Sequence, residues 1–252
     1  MNLAMIGLGK MGANMVRRLV RDGHHVIAYD VDLNNATQLA AEHHNVTAVS
    51  SLEQLVNDLA APRVIWLMVP HQYVDQSIES LRDAGMGSGD LLVDGGNSNF
   101  NQSMHRAEYL RSMGLDFVDS GTSGGVWGLE NGYSIMAGGS DEAIDILRPA
   151  LESLAPANDT GWGHVGPAGA GHYVKMVHNG IEYGMMQAYA EGFEMLDAKQ
   201  EMALDLQQIS RIWQHGSVVR SWLLDLIADS LADDKTLSAP VSYTHLTLPT
   251  TC

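Results

Sequence analysis

The chain has 252 residues, 45% of them apolar and 17% charged, with a formal net charge of −16. It is long and apolar enough for one large or two medium domains with a real core, which excludes a disordered chain. The acidic excess argues against a nucleic-acid or anionic-membrane partner, since phosphate recognition needs clustered Lys and Arg.

Residues 2–6 read as a short apolar strand. Gly7-Leu8-Gly9-Lys10-Met11-Gly12 follows at once, and residues 13–21 carry a helical pattern. This is G-x-G-x-x-G between a strand and a helix, the context that a dinucleotide site requires. The first Gly allows the turn, the second lets a pyrophosphate approach the backbone, and the third lets helix and strand pack closely. The strand at 25–29 ends in Asp30, whose carboxylate can accept from both hydroxyls of an adenosine ribose. It would repel a 2′-phosphate, and no Arg follows it, so NAD is preferred over NADP. A glycine-rich turn with an incidental Asp is the competing explanation.

A helix is expected at 33–42, a short strand at 46–49, and a helix at 51–59 with Ser51 as its N-cap. Residues 63–69 form an apolar run closed by Pro70, as in a fully buried parallel strand. Its end, Met68-Val69-Pro70, should face the same sheet edge as the glycine loop and contribute to cofactor binding. A helix at 73–84 precedes a strand at 90–93, which ends in Asp94-Gly95-Gly96-Asn97-Ser98. The paired glycines point to backbone pressed against a ligand, an ordinary glycine turn with Asn97 or Ser98 as N-cap of a helix at 99–113 being the alternative. After a strand at 115–118, Asp119-Ser120-Gly121-Thr122-Ser123-Gly124-Gly125-Val126-Trp127-Gly128 is too rich in Gly and hydroxyls for a core element. It reads as a loop suited to a carboxylate or hydroxyl-rich ligand, a flexible linker being the alternative. A strand at 133–137, a helix at 141–154 and a last strand at 162–165 complete this half.

From residue 168 no strand is expected. Helices are predicted at 168–199, 203–214 and 217–231. The fold class is therefore α/β, a Rossmann-type doubly wound sheet followed by an all-helical domain. The boundaries are 1–166 for the dinucleotide-binding domain and 167–240 for an incomplete helical substrate and dimerisation domain. Residues 241–252, with four Thr and no acidic residue, read as a non-native tail such as a translated sequencing-adapter scar.

The first long helix carries the chemistry. Lys175, His178, Asn179 and Glu182 sit at i, i+3, i+4 and i+7, within an arc of about 100°. Tyr183 lies at the edge of that arc, while Met176, Val177 and Ile181 are expected to face the core. An amine, an imidazole, a carboxamide and a carboxylate on one face can hold a polar anionic molecule and move protons on it. A solvated face with a Lys/Glu pair is the plain alternative, but His and Asn are middling helix formers with no local reason to sit there. The one cysteine, Cys252, allows no intramolecular disulfide and fits a reducing, cytoplasmic compartment. The eleven His residues show no metal-binding spacing, so no metal is expected. Neither a signal peptide nor an apolar run long enough to span a membrane is recognisable.

Together these motifs resemble the 6-phosphogluconate dehydrogenases, decarboxylating members of the β-hydroxyacid dehydrogenase superfamily, over residues 1 to about 234. The glycine loop and Lys175-x-x-x-Asn179 match the superfamily. Asp94 to Ser98, Ser123-Gly124-Gly125 and the set His178, Asn179, Glu182 and Tyr183 match the subfamily, as do Trp213, Gly216, Arg220 and Ser221. Asp30 resembles the shorter, often NAD-linked branch. The resemblance implies that Lys175 is the general base at the 3-hydroxyl of a phosphorylated sugar acid and that Glu182 is the general acid at C1 of the enediol left after decarboxylation. It assigns Asn97, His178 and Asn179 to the substrate hydroxyls, Ser123 to Gly125 to the carboxylate and Tyr183 to the phosphate. Asn97 is also expected to touch the cofactor. A homodimer or higher homo-oligomer is implied. Family members continue past this point with basic residues that hold the phosphate, and none is recognisable here, so a C-terminally truncated chain is expected. Two alternatives stand beside this one: a non-decarboxylating dehydrogenase of a small acid, and a non-catalytic dinucleotide-binding fragment.

Overall fold

Alternation of apolar side chains along the strands builds two cores, one on each face of a single sheet. The computed structural model describes residues 1–234, so the tail at 241–252, Cys252 included, lies outside the described residues. The strands are β1 (Asn2–Ile6), β2 (His25–Tyr29), β3 (Val46–Ala48), β4 (Val64–Leu67), β5 (Leu91–Asp94), β6 (Asp116–Ser123), β7 (Ser134–Gly138) and β8 (Trp162–Gly166). They lie in the order β3-β2-β1-β4-β5-β6-β7-β8. The pairs from β3 through to β6 are parallel; β7 runs antiparallel to β6 and parallel to β8. Winding reverses between β1 and β4, which opens a crevice at the carboxyl ends of those strands, where open α/β sheets bind ligands.

The helices between the strands are α1 (Lys10–Arg21), α2 (Leu33–Glu42), α3 (Leu52–Asp58), α4 (Val74–Asp83), α5 (Phe100–Ser112), the short α6 (Gly128–Asn131) and α7 (Asp141–Leu154). Leu3 and Met5 of β1, with Trp66 of β4, pack beside Met15, Leu19, Leu147 and Leu151. Ala4 and Ile6, with Ile65 and Leu67, point the other way, into Leu55, Ile78, Leu81 and Leu110. A strand buried on both faces reads as a continuous apolar run, which is why β4 is legible as one.

Four local differences from the sequence reading have physical causes. Helix α1 starts at Lys10, inside the glycine motif, with Gly9 as its N-cap. Ser98 does not cap α5: Asn99 does, accepting from the Asn101 N–H, because the Ser98 hydroxyl turns inward to Asp94. Strand β6 runs on to Ser123, so the first five residues of the expected loop are strand; Asp119, Ser120 and Gly121 are buried, and pairing with β7 satisfies their backbone. Tyr73 belongs to a 3₁₀ turn at His71–Tyr73 that precedes α4.

The chain divides into two compact units, Met1–Met176 and the residues from Val177 on, and the division falls inside α8 (Ala170–Asp197). The second unit holds the rest of α8 with α9 (Leu206–Trp213) and α10 (Trp222–Asp233), capped by Asp205 and Ser221. Both helices are shorter than expected, because those caps set their first turns. Phe193, Leu206, Leu224 and Leu231 form a small core, with Trp213 edge-on to Phe193 at 5.7 Å between ring centroids. Met176, Val177 and Ile181 do not face a core: they are exposed by 45%, 44% and 61%. Among the described residues no helix is long and apolar enough to cross a membrane.

Candidate active site

The glycine loop is built by two steric demands and one open position. Gly7 has φ +91°, and a Cβ there would meet the Met68 carbonyl oxygen at 2.6 Å. A Cβ on Gly12 would lie 2.1 Å from the Gly7 carbonyl oxygen, so that residue allows α1 to sit against the turn. Gly9 is open, with nothing within 4 Å of a Cβ. It caps α1 without a side-chain hydrogen bond, and the first turn of α1 holds no acidic residue. An open helix N-terminus without a side-chain cap, with its positive dipole end, fits the pyrophosphate of a dinucleotide. Leu8 and Lys10 flank Gly9, with Met11 behind. The Leu8 N–H donates to Asp30 Oδ2 at 2.6 Å and the Asp32 N–H to Asp30 Oδ1 at 2.9 Å. Asp30 is thus fixed beside the loop with lone pairs remaining on both oxygens. Met68, Val69 and Pro70 continue from β4, and the Met68 N–H donates to the Ile6 carbonyl at 2.7 Å.

Beyond β5, the backbone at Gly95 and Gly96 is pressed against β4 and its extension rather than kept open for a ligand. A Cβ on Gly95 would fall 2.2 Å from Trp66 Nε1, and one on Gly96 2.8 Å from the Val69 carbonyl oxygen. The exposed Asn97 is presented between two residues held by one carboxylate. Asp94, fully buried, accepts from the Gly96 N–H at 3.1 Å, the Ser98 hydroxyl at 2.8 Å and Arg106 Nη1 at 3.1 Å. Arg106 Nε also donates to Asp75 at 2.6 Å, and its guanidinium holds the Asp75 carboxyl below its ordinary range.

Lys175, half-buried, rises from the first turns of α8 against β6. A Cβ on Gly121 would meet Lys175 Cβ at 2.5 Å and the Gly171 carbonyl oxygen at 2.6 Å, so only glycine lets helix and strand approach this closely. Ser123 ends β6, and Gly124 and Gly125 turn at φ +126° and +53°. The Val126 carbonyl then accepts from Asn14 Nδ2 of α1 at 3.3 Å, tying this loop to the helix behind the glycine motif. Beneath Lys175, Asp119 accepts from the Gly169 and His172 N–H groups. Burial pushes the Asp119 carboxyl up, against the opposing pull of His172 and those N–H donors.

Further along α8, His178 Nδ1 lies 3.3 Å from Asn179 Oδ1 and 3.7 Å from Glu182 Oε2. Burial, then the neighbouring Glu182 charge, raises the Tyr183 phenol above its ordinary value. Within the second unit, the register of α8 puts His178, Asn179 and Glu182 on one side. The structure gathers the glycine loop, Asp30, Met68 to Pro70 and the Asn97 loop at the carboxyl ends of neighbouring strands. Asp94, Arg106, Asp119 and His172 were not legible as supports of this site. For Asp94 and Asp119 the one signal was an acid closing an apolar strand; Arg106 and His172 carried none.

A family model described as "NAD binding domain of 6-phosphogluconate dehydrogenase" matches residues 2–166. A second, "6-phosphogluconate dehydrogenase, C-terminal domain", matches residues 171–204. A Haloferax volcanii protein named "6-phosphogluconate dehydrogenase, NAD(+)-dependent, decarboxylating" is 43% identical over 235 residues, which is 93% of this chain and 76% of that one. Among solved structures, Plasmodium falciparum 6-phosphogluconate dehydrogenase, whose cofactor is NADP+, matches with a TM-score of 0.83 at 29% identity. That match covers 92% of this chain and 51% of the Plasmodium chain, so this chain spans about half of that enzyme's length. Mycobacterium tuberculosis 3-hydroxyisobutyrate dehydrogenase matches with a TM-score of 0.72 at 26% identity, over 88% of this chain and 72% of that one.

Proposed function

The chain belongs to the 6-phosphogluconate dehydrogenase family, and from that premise we propose that it oxidatively decarboxylates 6-phosphogluconate to ribulose 5-phosphate and CO2. The observation that carries this reading is Lys175 seated on Gly121, with His178, Asn179 and Glu182 following it in the sequence at helical spacing. A bound nicotinamide dinucleotide supplies the hydride acceptor; Gly7 to Gly12 and Asp30 would hold its adenosine half, and Met68 to Pro70 and Asn97 would line its course. Lys175 removes the proton of the 3-hydroxyl as hydride leaves C3. The C1 carboxylate of the resulting β-keto acid then departs as CO2, its bonding electrons forming an enediol, while Lys175 returns its proton to the former carbonyl oxygen. Glu182 then protonates the carbon that was C2 of the substrate and becomes C1 of the pentulose, while Lys175 takes back the enediol hydroxyl proton and the ketone forms. Each proton-transfer group contributes roughly 10²- to 10⁴-fold in rate.

Asn97, His178 and Asn179 orient the sugar hydroxyls in this reading, Ser123 to Gly125 bind the carboxylate and Tyr183 meets the phosphate. Asp30 favours NAD, since its charge opposes a 2′-phosphate. The helical residues from 167 on act in substrate binding and dimerisation. The exposed apolar residues Val177, Ile181, Met185 and Met195 on α8 support assembly with a second copy. Absorbance at 340 nm with 6-phosphogluconate, offering NAD and NADP separately, tests the proposal. NAD reduction with release of CO2 is expected. Turnover of 3-hydroxyisobutyrate without decarboxylation, and none of 6-phosphogluconate, would replace it with the small-acid reading.

A further inference from the structure

We propose that Asp119, His172 and Ser103 form a buried positioning cluster that anchors the first turn of α8 and so fixes the place of Lys175. The inference rests on Lys175 as the group that takes the hydroxyl proton, and it adds three residues that act through it. A helix N-terminus leaves N–H groups without intrahelical partners, and these need acceptors. Here the acceptor comes from the sheet: Asp119 Oδ1 receives the Gly169 N–H at 2.6 Å and Oδ2 receives the His172 N–H at 2.7 Å. Asp119 is fully buried on β6, two residues before Gly121, against which Lys175 packs. A negative group at the positive end of the helix adds favourable electrostatics to the two hydrogen bonds.

The imidazole ties the same turn to α5. His172, 3% exposed, has Nδ1 2.7 Å from the Ser103 hydroxyl and 3.8 Å from Asp119 Oδ2. Ser103 Oγ lies 3.3 Å from the Asn99 carbonyl. One arrangement uses every contact: Nδ1–H donates to Ser103 Oγ, and the Ser103 hydroxyl donates to the Asn99 carbonyl. Nε2 is buried and without a hydrogen-bond partner among the described residues. Glycines close the space around the carboxylate. A Cβ on Gly138 would fall 2.5 Å from Asp119 Oδ1, and one on Gly171 would fall 2.3 Å from the Asp119 carbonyl oxygen. His172 precedes Lys175 by three residues, one helical turn. Whatever holds His172 therefore sets the height and rotation of the helix at Lys175.

The test uses the full chain and the variants Asp119→Asn, Ser103→Ala and Ser103→Thr. An asparagine keeps the shape but can accept only one of the two N–H bonds. Turnover with 6-phosphogluconate should fall about 10- to 100-fold in Asp119→Asn, the scale expected of a misplacement near 1 Å, with NAD affinity unchanged. Ser103→Ala should lose less, and Ser103→Thr, which restores the hydroxyl, should recover turnover. Amide hydrogen exchange across residues 169–176 should quicken in Asp119→Asn while the β1–α1 region keeps its protection. Turnover equal to the parent's, or unchanged exchange at 169–176, overturns the proposal, as does an equal loss of NAD affinity and protection throughout. A parent chain that does not oxidise 6-phosphogluconate would instead refute the reading of Lys175, and the exchange comparison would still decide the anchoring.

Discussion

Replacing Gly121 by alanine puts a methyl carbon 2.5 Å from Lys175 Cβ and 2.6 Å from the Gly171 carbonyl oxygen. Carbon atoms in contact sit about 3.5 Å apart or more, so helix and strand must separate by about 1 Å to admit it. Neither contact can yield by a rotamer change, because one atom is backbone and the other is a Cβ. The first turns of α8 must therefore lift off β6, carrying Lys175 with them. Overpacking of this kind costs about 1–3 kcal/mol, which lowers the melting temperature by roughly 2 to 12 °C in a chain of this size. A displacement near 1 Å at the reacting group costs on the order of 10²-fold in turnover. The glycine loop is untouched, so NAD binding should survive. The assay is kcat from absorbance at 340 nm with 6-phosphogluconate, beside a NAD titration by fluorescence and a thermal melt. A Gly121→Ala enzyme with the parent's kcat and melting temperature would refute the claim that close approach of α8 to β6 sets Lys175.

Lys175→Ala should abolish hydride transfer and leave NAD affinity nearly unchanged; full activity in that variant, measured by the same absorbance assay, would remove the general base from the proposal. Arg106→Met leaves the Asp94 carboxylate buried without its cation, a loss of about 3–5 kcal/mol by the usual cost of orphaning a buried charge. Denaturant unfolding checks this, and a variant as stable as the parent would mean that Ser98 and Gly96 suffice to hold Asp94. Burial lowers the His24 pKa from its ordinary 6.5. The unfolded chain then binds a proton that the folded one refuses, so stability should fall as pH drops through 6.5 toward the folded value. Melts at pH 7.5 and 5.5 should show that loss in the parent and a smaller one in His24→Gln; identical slopes would exclude His24 as its source.

The sheet was legible because its strands announce themselves locally. Leu3 to Ile6, Val64 to Leu67 and Leu91 to Val93 are apolar on both faces, and the element order follows from alternating strands and helices with a cap such as Ser51. Where the reading departed, distant packing decided. Asp119 to Ser123 has the composition of a loop but is strand, because β7 pairs with it and α8 needs the bare Gly121 beneath it. Met176, Val177 and Ile181 have the composition of a core stripe, yet they lie exposed. Apolar periodicity says which residues share a helix face but not what covers that face.

The same division runs through the site. Groups that would meet cofactor or substrate fall into short motifs, because chemistry needs them at fixed spacing on one loop or one helix: Gly7 to Gly12, Asn97 in its loop, Lys175 to Tyr183. Their supports come from far along the chain. Asp119 meets the Gly169 N–H across 50 residues and Ser103 meets His172 across 69. No local pattern links such pairs, since the link exists only once β6, α5 and the start of α8 are packed. The glycines at 95 and 96 carry the same lesson in reverse. A motif that reads as open backbone awaiting a ligand is filled by Trp66, Met68 and Val69 of the neighbouring strand and its extension, and what it offers to solvent is the Asn97 side chain. A glycine pair in such a motif therefore reports close approach by something, and only the fold says whether that something is a ligand or the protein itself.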